Sequence, residues 1–117
     1  MNQAEIKRKR TESVLKELLP EAFSMLDDSE LNNLTVTEVL CSRGRYDAKV
    51  FLDKEELSEA EQNKIINKLN KVQGFLKNYV KESAGWYKSP NFKFVFDDYM
   101  ENINRIDELF KQISKDR

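Results

Sequence analysis

The side chains able to do acid–base or metal chemistry are few. The chain has no histidine and a single cysteine, Cys41. The commonest general base and metal ligand is therefore missing. One cysteine makes neither an intramolecular disulfide nor, without histidine, a zinc site within one chain. Carboxylates are plentiful, but no pair is set in a plausible cleft, and no glycine loop of the phosphate-cradling kind is present. The sequence therefore disfavours an enzyme and asks for no cofactor or metal. Cys41, on a predicted strand with no histidine anywhere, reads as an inert core residue.

What remains is electrostatic chemistry. In Asn63–Val80, Ile65, Ile66, Leu69, Val72, Leu76, Tyr79 and Val80 recur at helical spacing. On ideal helical geometry Lys64, Lys68 and Lys71 lie together beside this stripe, and Lys77 and Lys81 fall on its other flank. Gly74 sits in the middle. A glycine inside a helix costs about 1 kcal/mol relative to alanine, so a bend or a close approach by another molecule is expected there. Lysines beside such a glycine suit phosphates, although a lysine stripe on an ordinary helix is usually only a solvated face. The net charge of −1 confines any nucleic-acid surface to a local patch.

The elements that would position these residues follow from the patterning. With 117 residues, 39% hydrophobic and 35% charged, the chain suits one domain over 1–117 with a single core. Residues 1–10 form a basic arm ending in Lys7-Arg8-Lys9-Arg10, and 114–117 a frayed end. A helix over Gln3–Leu26 carries Val14, Leu15, Leu18, Leu19, Ala22, Met25 and Leu26 on one face, kinked at Pro20. Leu34–Ser42 and Tyr46–Asp53 read as strands of an antiparallel hairpin, with Gly44 available for a positive φ in the turn. The alternation in the first strand is blurred, which allows a bulge. Ser58 and Glu61 fit a capping box opening the long helix. Trp86 in the loop Ser83–Pro90 is expected to cover the core edge, while Tyr87 and Lys88 are open to stacking and charge contacts. Asn91–Asp97 is a third strand whose Phe92, Phe94 and Phe96 face the core. A last helix runs to about Ser114 with Ile103, Ile106, Phe110 and Ile113 buried. The order α-β-β-α(kinked)-β-α gives an α+β two-layer sandwich with a three-stranded sheet, which suggests a KH-like module.

The segments LTVTEVLCS, YDAKVF, KLNKVQGFLK and FKFVFDDYMENINRIDELFK occur in the order and spacing of a known family. So do NRIDEL at Asn104–Leu109 and NK-x-x-GF at Asn70–Phe75. The chain resembles ribosome-binding factor A, a bacterial small-subunit assembly factor, from about Arg10 to Lys111. The resemblance implies a type II KH-like domain without catalytic activity. It implies binding to the immature small (30S) ribosomal subunit and its 16S rRNA, with roles in late maturation, precursor rRNA processing and growth in the cold. It also implies that the family's RNA-facing Ala-x-Gly bend falls on Val72-Gln73-Gly74. Val72 stands in place of the alanine, and Glu82–Tyr87 replaces a region usually rich in Arg and Lys. The acidic turn Asp27–Glu30 lies where the family often has Asp-Pro-Arg.

With the resemblance in hand, Lys64, Lys68 and Lys71 around Gln73 and Gly74 become the leading RNA contacts. Lys77, Lys81, Lys88, Arg43, Arg45 and the Lys7–Arg10 arm stand second. A KH-like protein-interaction module independent of RNA is the alternative, carried by Trp86-Tyr87 and the depleted basic loop. The chain is expected to be a cytoplasmic monomer when free. It has no run near the roughly 20 apolar residues that span a bilayer, and no apolar segment follows the charges of MNQAEIKRKR, so no signal peptide is read there.

Overall fold

The computed structural model describes residues 3–97. The predicted last helix, with Ile103, Ile106, Phe110 and Ile113, lies outside the described residues. The described elements are α1 (Gln3–Ser24), β1 (Val36–Cys41), β2 (Asp47–Asp53), α2 (Glu59–Lys71), α3 (Gln73–Ala84) and β3 (Asn91–Asp97). β1 and β2 pair antiparallel as expected for a hairpin. β3 pairs parallel to β2, so the α2–α3 pair is the crossover between them. The sheet order is β1-β2-β3.

The helices cover one face of the sheet. Ala48, Val50 and Leu52 of β2 and Phe92 and Phe94 of β3 are buried under Leu15, Leu19, Ala22 and Phe23 of α1, with Ile65, Leu69, Leu76 and Val80 from the helix pair. The Phe23 and Phe94 rings meet with centroids 6.2 Å apart. The blurred phase of β1 has its cause in a register shift between Val36 and Glu38, which brings both Val36 and Val39 to the buried face. α1 runs unbroken through Pro20. Its stripe ends at Phe23; Met25, assigned to the apolar face from spacing, lies past the helix end and is 60% exposed.

The start of α2 and the junction between α2 and α3 are each fixed by side-chain hydrogen bonds. The capping box forms: Glu61 N–H donates to Ser58 Oγ (3.2 Å) and Ser58 N–H donates to Glu61 Oε1 (3.3 Å). The bend expected over Val72-Gln73-Gly74 falls on Val72, the one residue between α2 and α3, and not on Gly74 itself. Val72 leaves helical geometry (φ −99°, ψ 14°), and its N–H is shared between the carbonyls of Lys68 and Leu69. The reason is tertiary. Gln73, the first residue of α3, donates from Nε2 to the Phe92 carbonyl (3.1 Å) and accepts the Phe92 N–H at Oε1 (2.7 Å). That clamp fixes the start of α3 on the edge strand, so the chain must turn just before it. Gly74 is an ordinary residue of the first turn of α3.

Cys41 is buried, and its backbone N–H donates to Glu12 Oε2 at 2.8 Å. Burial, and secondarily the Glu12 carboxylate, push its thiol up to about 11. Native protein at pH 8 is therefore expected to react with iodoacetamide far more slowly than urea-unfolded protein, as read by mass spectrometry; equal rates would contradict this placement.

Candidate nucleic-acid interface

Most of the candidate cations divide between the two ends of β2. Near its C-terminal end lies an acidic turn. Lys68 Nζ sits 2.8 Å from Asp28 Oδ2 and 2.6 Å from Glu30 Oε1, and Lys64 Nζ lies 3.3 Å from Glu30 Oε1. The Lys68 ammonium, hydrogen-bonded to both, holds the Asp28 and Glu30 carboxyls below the usual carboxylate range. The two leading lysines from the sequence thus have their charge balanced within the fold. Lys71, at the other end of α2, is exposed and forms no ion pair with a described residue.

The second-ranked cations gather near the N-terminal end of β2. Asn91 ties this end together. Its N–H donates to the Tyr46 carbonyl (2.9 Å), and its Oδ1 accepts from Lys77 Nζ (2.7 Å). Gly74 opens on a groove with Lys77, Asn78, Lys81, Tyr87 and Lys88. A methyl built on Gly74 meets nothing within 4 Å. No packing within the described fold requires a glycine here. The groove shares Tyr87, Lys88 and Ser89 with a cavity of about 390 Å³ between the hairpin turn and the loop after α3. That cavity in turn shares Thr11, Arg45 and Trp86 with a cleft beside Lys7 and Arg10. The basic run read as an arm is therefore part of α1.

Among the described residues, the linings of these three neighbouring spaces hold Lys7, Arg10, Arg45, Lys77, Lys81 and Lys88 and no carboxylate; a described one tied to them through Asn91 is Asp47, which accepts from Asn91 Nδ2 at 3.4 Å. In a chain of net charge −1, such a tract is a local anion-attracting surface. Arg43 is exposed at the same hairpin turn. Gln73, a candidate from the sequence, has its amide committed to Phe92.

Local backbone chemistry sets the tract's shape. Gly85 closes α3 in the left-handed region (φ 71°), with its N–H donating to the Glu82 carbonyl and the Trp86 N–H to the Lys81 carbonyl. This turn lays Trp86 half-buried against the core, as expected, and leaves Tyr87 wholly exposed. At the hairpin it is Arg45, not Gly44, that takes a positive φ (60°). Gly44 has another reason to be a glycine: a Cβ there would fall 2.6 Å from Tyr46 Cδ2, because the tyrosine ring lies over it. Tyr46 had no place among the sequence candidates. Its signal was the Gly44-Arg45-Tyr46 spacing, which is legible only once the turn is known.

Among the described residues no group of three or more His, Cys, Asp or Glu is placed to hold a metal ion, and no helix is long and apolar enough to cross a membrane. A helix pair broken above one end of a three-stranded sheet, with α1 alongside, is a KH-like α+β domain. Its membership can be narrowed further. The family model for ribosome-binding factor A matches residues 7–110. Ribosome-binding factor A of Campylobacter jejuni (serotype O:6, strain 81116) is 52% identical over 117 residues, covering 100% of this chain and 98% of that protein. The chain belongs to the ribosome-binding factor A family. In fold it is similar to the crystal structure of the Thermus thermophilus protein of that name, with a TM-score of 0.66 at 21% identity over 76% of this chain and 93% of that one. It is also similar to the T. thermophilus ribosome binding factor A coordinates fitted into a cryo-EM map of a 30S complex, with a TM-score of 0.59 at 22% identity over 71% and 87% of the two chains.

Proposed function

We propose that this chain is a non-catalytic assembly factor that binds the small ribosomal subunit on its 16S rRNA and assists late maturation and precursor rRNA processing. The observation that carries the reading is the basic tract beside Gly74, whose described lining residues include no carboxylate, in a chain whose relatives are named for ribosome binding. Lys71, Lys77, Lys81, Lys88, Arg43 and Arg45 are its foremost phosphate contacts, with Lys7 and Arg10 extending the track. Lys64 and Lys68 contribute less, because Asp28 and Glu30 already neutralise them. The contacts read rRNA shape and backbone rather than sequence. The protein acts in the cytoplasm as a monomer, and growth at low temperature is where its loss should be felt most. Trp86, which the protein-interaction alternative requires to be free, is half-buried against the core.

Sedimentation of a cell extract through sucrose tests this reading. The chain is expected to travel with free small subunits and not with translating ribosomes; its absence from every ribosomal fraction would overturn the proposal.

Gly74→Ala separates stability from binding. Relief of the glycine penalty in α3 should raise the unfolding free energy by about 0.4–1 kcal/mol in urea titrations. The same methyl should weaken small-subunit binding several-fold by keeping the RNA backbone away. Unchanged binding in the stabilised variant would remove Gly74 from the interface.

A further inference from the structure

We infer that the cavity between the hairpin turn and the loop after α3 is a seat for one unpaired RNA base, an inference that rests on the rRNA-binding reading above. Its volume of about 390 Å³ is at the small end of the roughly 300–1,000 Å³ typical of ligand sites. Two tyrosine rings line it and face solvent: Tyr87 is 100% exposed and Tyr46 69%. Exposed aromatic rings next to cations are the recurring platform for single-stranded nucleic acid, because every base has a face to stack. Arg45 and Lys88 supply the cations, and among the described residues the lining holds no carboxylate to repel a phosphate or attract a basic peptide.

Two further features favour a base over a protein side chain as the occupant. The groove beside Gly74 shares Tyr87 and Lys88 with the cavity. A strand whose backbone crosses Lys77 and Lys81 therefore delivers its next nucleotide to the rings. Gly44 also leaves room for the Tyr46 ring at this place, where any side chain would displace it. Bases within a duplex are stacked on one another and do not reach such a platform, so the seat selects a looped-out or single-stranded nucleotide.

Trp86, the only tryptophan of the chain, lines the same cavity and serves as the reporter. Its emission would be followed while the full chain is titrated with a seven-nucleotide oligoadenylate, or with an RNA duplex at equal phosphate concentration. The oligoadenylate should quench Trp86 and the duplex should not. Tyr87→Ala should weaken oligoadenylate binding by about tenfold or more, and Tyr87→Phe should bind within about twofold of the parent, since the stacking face is retained. Gly44→Ala, whose methyl displaces the Tyr46 ring, should weaken it several-fold. Tyr87 is fully exposed, so its variants should keep the parent's circular dichroism and urea midpoint. Parental affinity in both Tyr87→Ala and Gly44→Ala, or equal quenching by the duplex, would overturn the base seat. The same variants centrifuged with small subunits keep the two proposals apart: subunit binding without Tyr87 dependence on the oligomer sinks only the seat, whereas no subunit binding by the parent chain sinks the rRNA reading beneath it.

Discussion

Reversing Arg45, Lys77, Lys81 and Lys88 together to glutamate is expected to lower small-subunit affinity by about a thousandfold. Each Lys or Arg near a polyanionic surface contributes about 1 kcal/mol, and 1.4 kcal/mol is tenfold. Salt should reveal the same contacts. Each lost phosphate contact should flatten the plot of log affinity against log salt by about 0.7–0.9. The four side chains line neighbouring spaces with no carboxylate among their described lining residues, so their effects should accumulate. The comparison variant is Lys64→Gln with Lys68→Gln. Those two lysines face Asp28 and Glu30, and their loss should change affinity by no more than about threefold, because an ion pair near the surface contributes little beyond itself. A larger effect from the Lys64 and Lys68 pair than from the four would place the interface at the other end of the sheet. Equilibrium binding at several salt concentrations decides between them.

Phe23→Ala is expected to be the most damaging single change to the fold. Phe23 is fully buried and its ring meets Phe94 across the helix–sheet interface. Truncating a buried phenylalanine costs about 3–5 kcal/mol through lost burial and the cavity left behind. Against a total stability of about 5–15 kcal/mol, that moves the urea midpoint far to the left. Met25→Ala, two residues on, should stay within about 0.5 kcal/mol, because its side chain is mostly in solvent. Equal effects at the two positions would mean that α1 sits on the sheet in a different rotation.

Those two residues also show what the sequence could and could not reveal. The helical stripe of α1 was legible as far as Ala22, and Phe23 lies four residues after Leu19, squarely on it. Met25 fits the spacing only if the helix continues, and the helix stops at Ser24. The hairpin, the capping box at Ser58 and the inward faces of β2 and β3 were legible because they depend on neighbours within a few residues. The place of the break, within Val72–Gly74, was legible through the family resemblance; the clamp beside it was not, because Gln73 reaches Phe92, nineteen residues away. The pairing of Lys68 with Glu30 spans thirty-eight residues, and no periodicity reports it. It is the reason the ranking of the lysines changes: proximity to Gly74 in sequence put Lys64 and Lys68 first, while the fold turns them toward an acidic turn. Gly44 followed the same course. A glycine in a hairpin suggests a positive φ, yet the positive φ falls on Arg45 and the glycine makes room for Tyr46.

Which end of the sheet meets rRNA decides the interface, and a tethered cleavage reagent measures that directly. Cys41 is buried with its thiol pushed up to about 11, so a cysteine introduced on the surface takes the reagent selectively. Asn78→Cys places it in the groove beside Gly74 and Lys77. Glu56→Cys places it on the exposed loop past the far end of β2, a seven-residue strand roughly 20 Å long. With iron–EDTA on each, bound to small subunits, the rRNA should be cut from position 78 and left intact from position 56. Strong cutting from 56 with none from 78 would contradict the assignment of the interface.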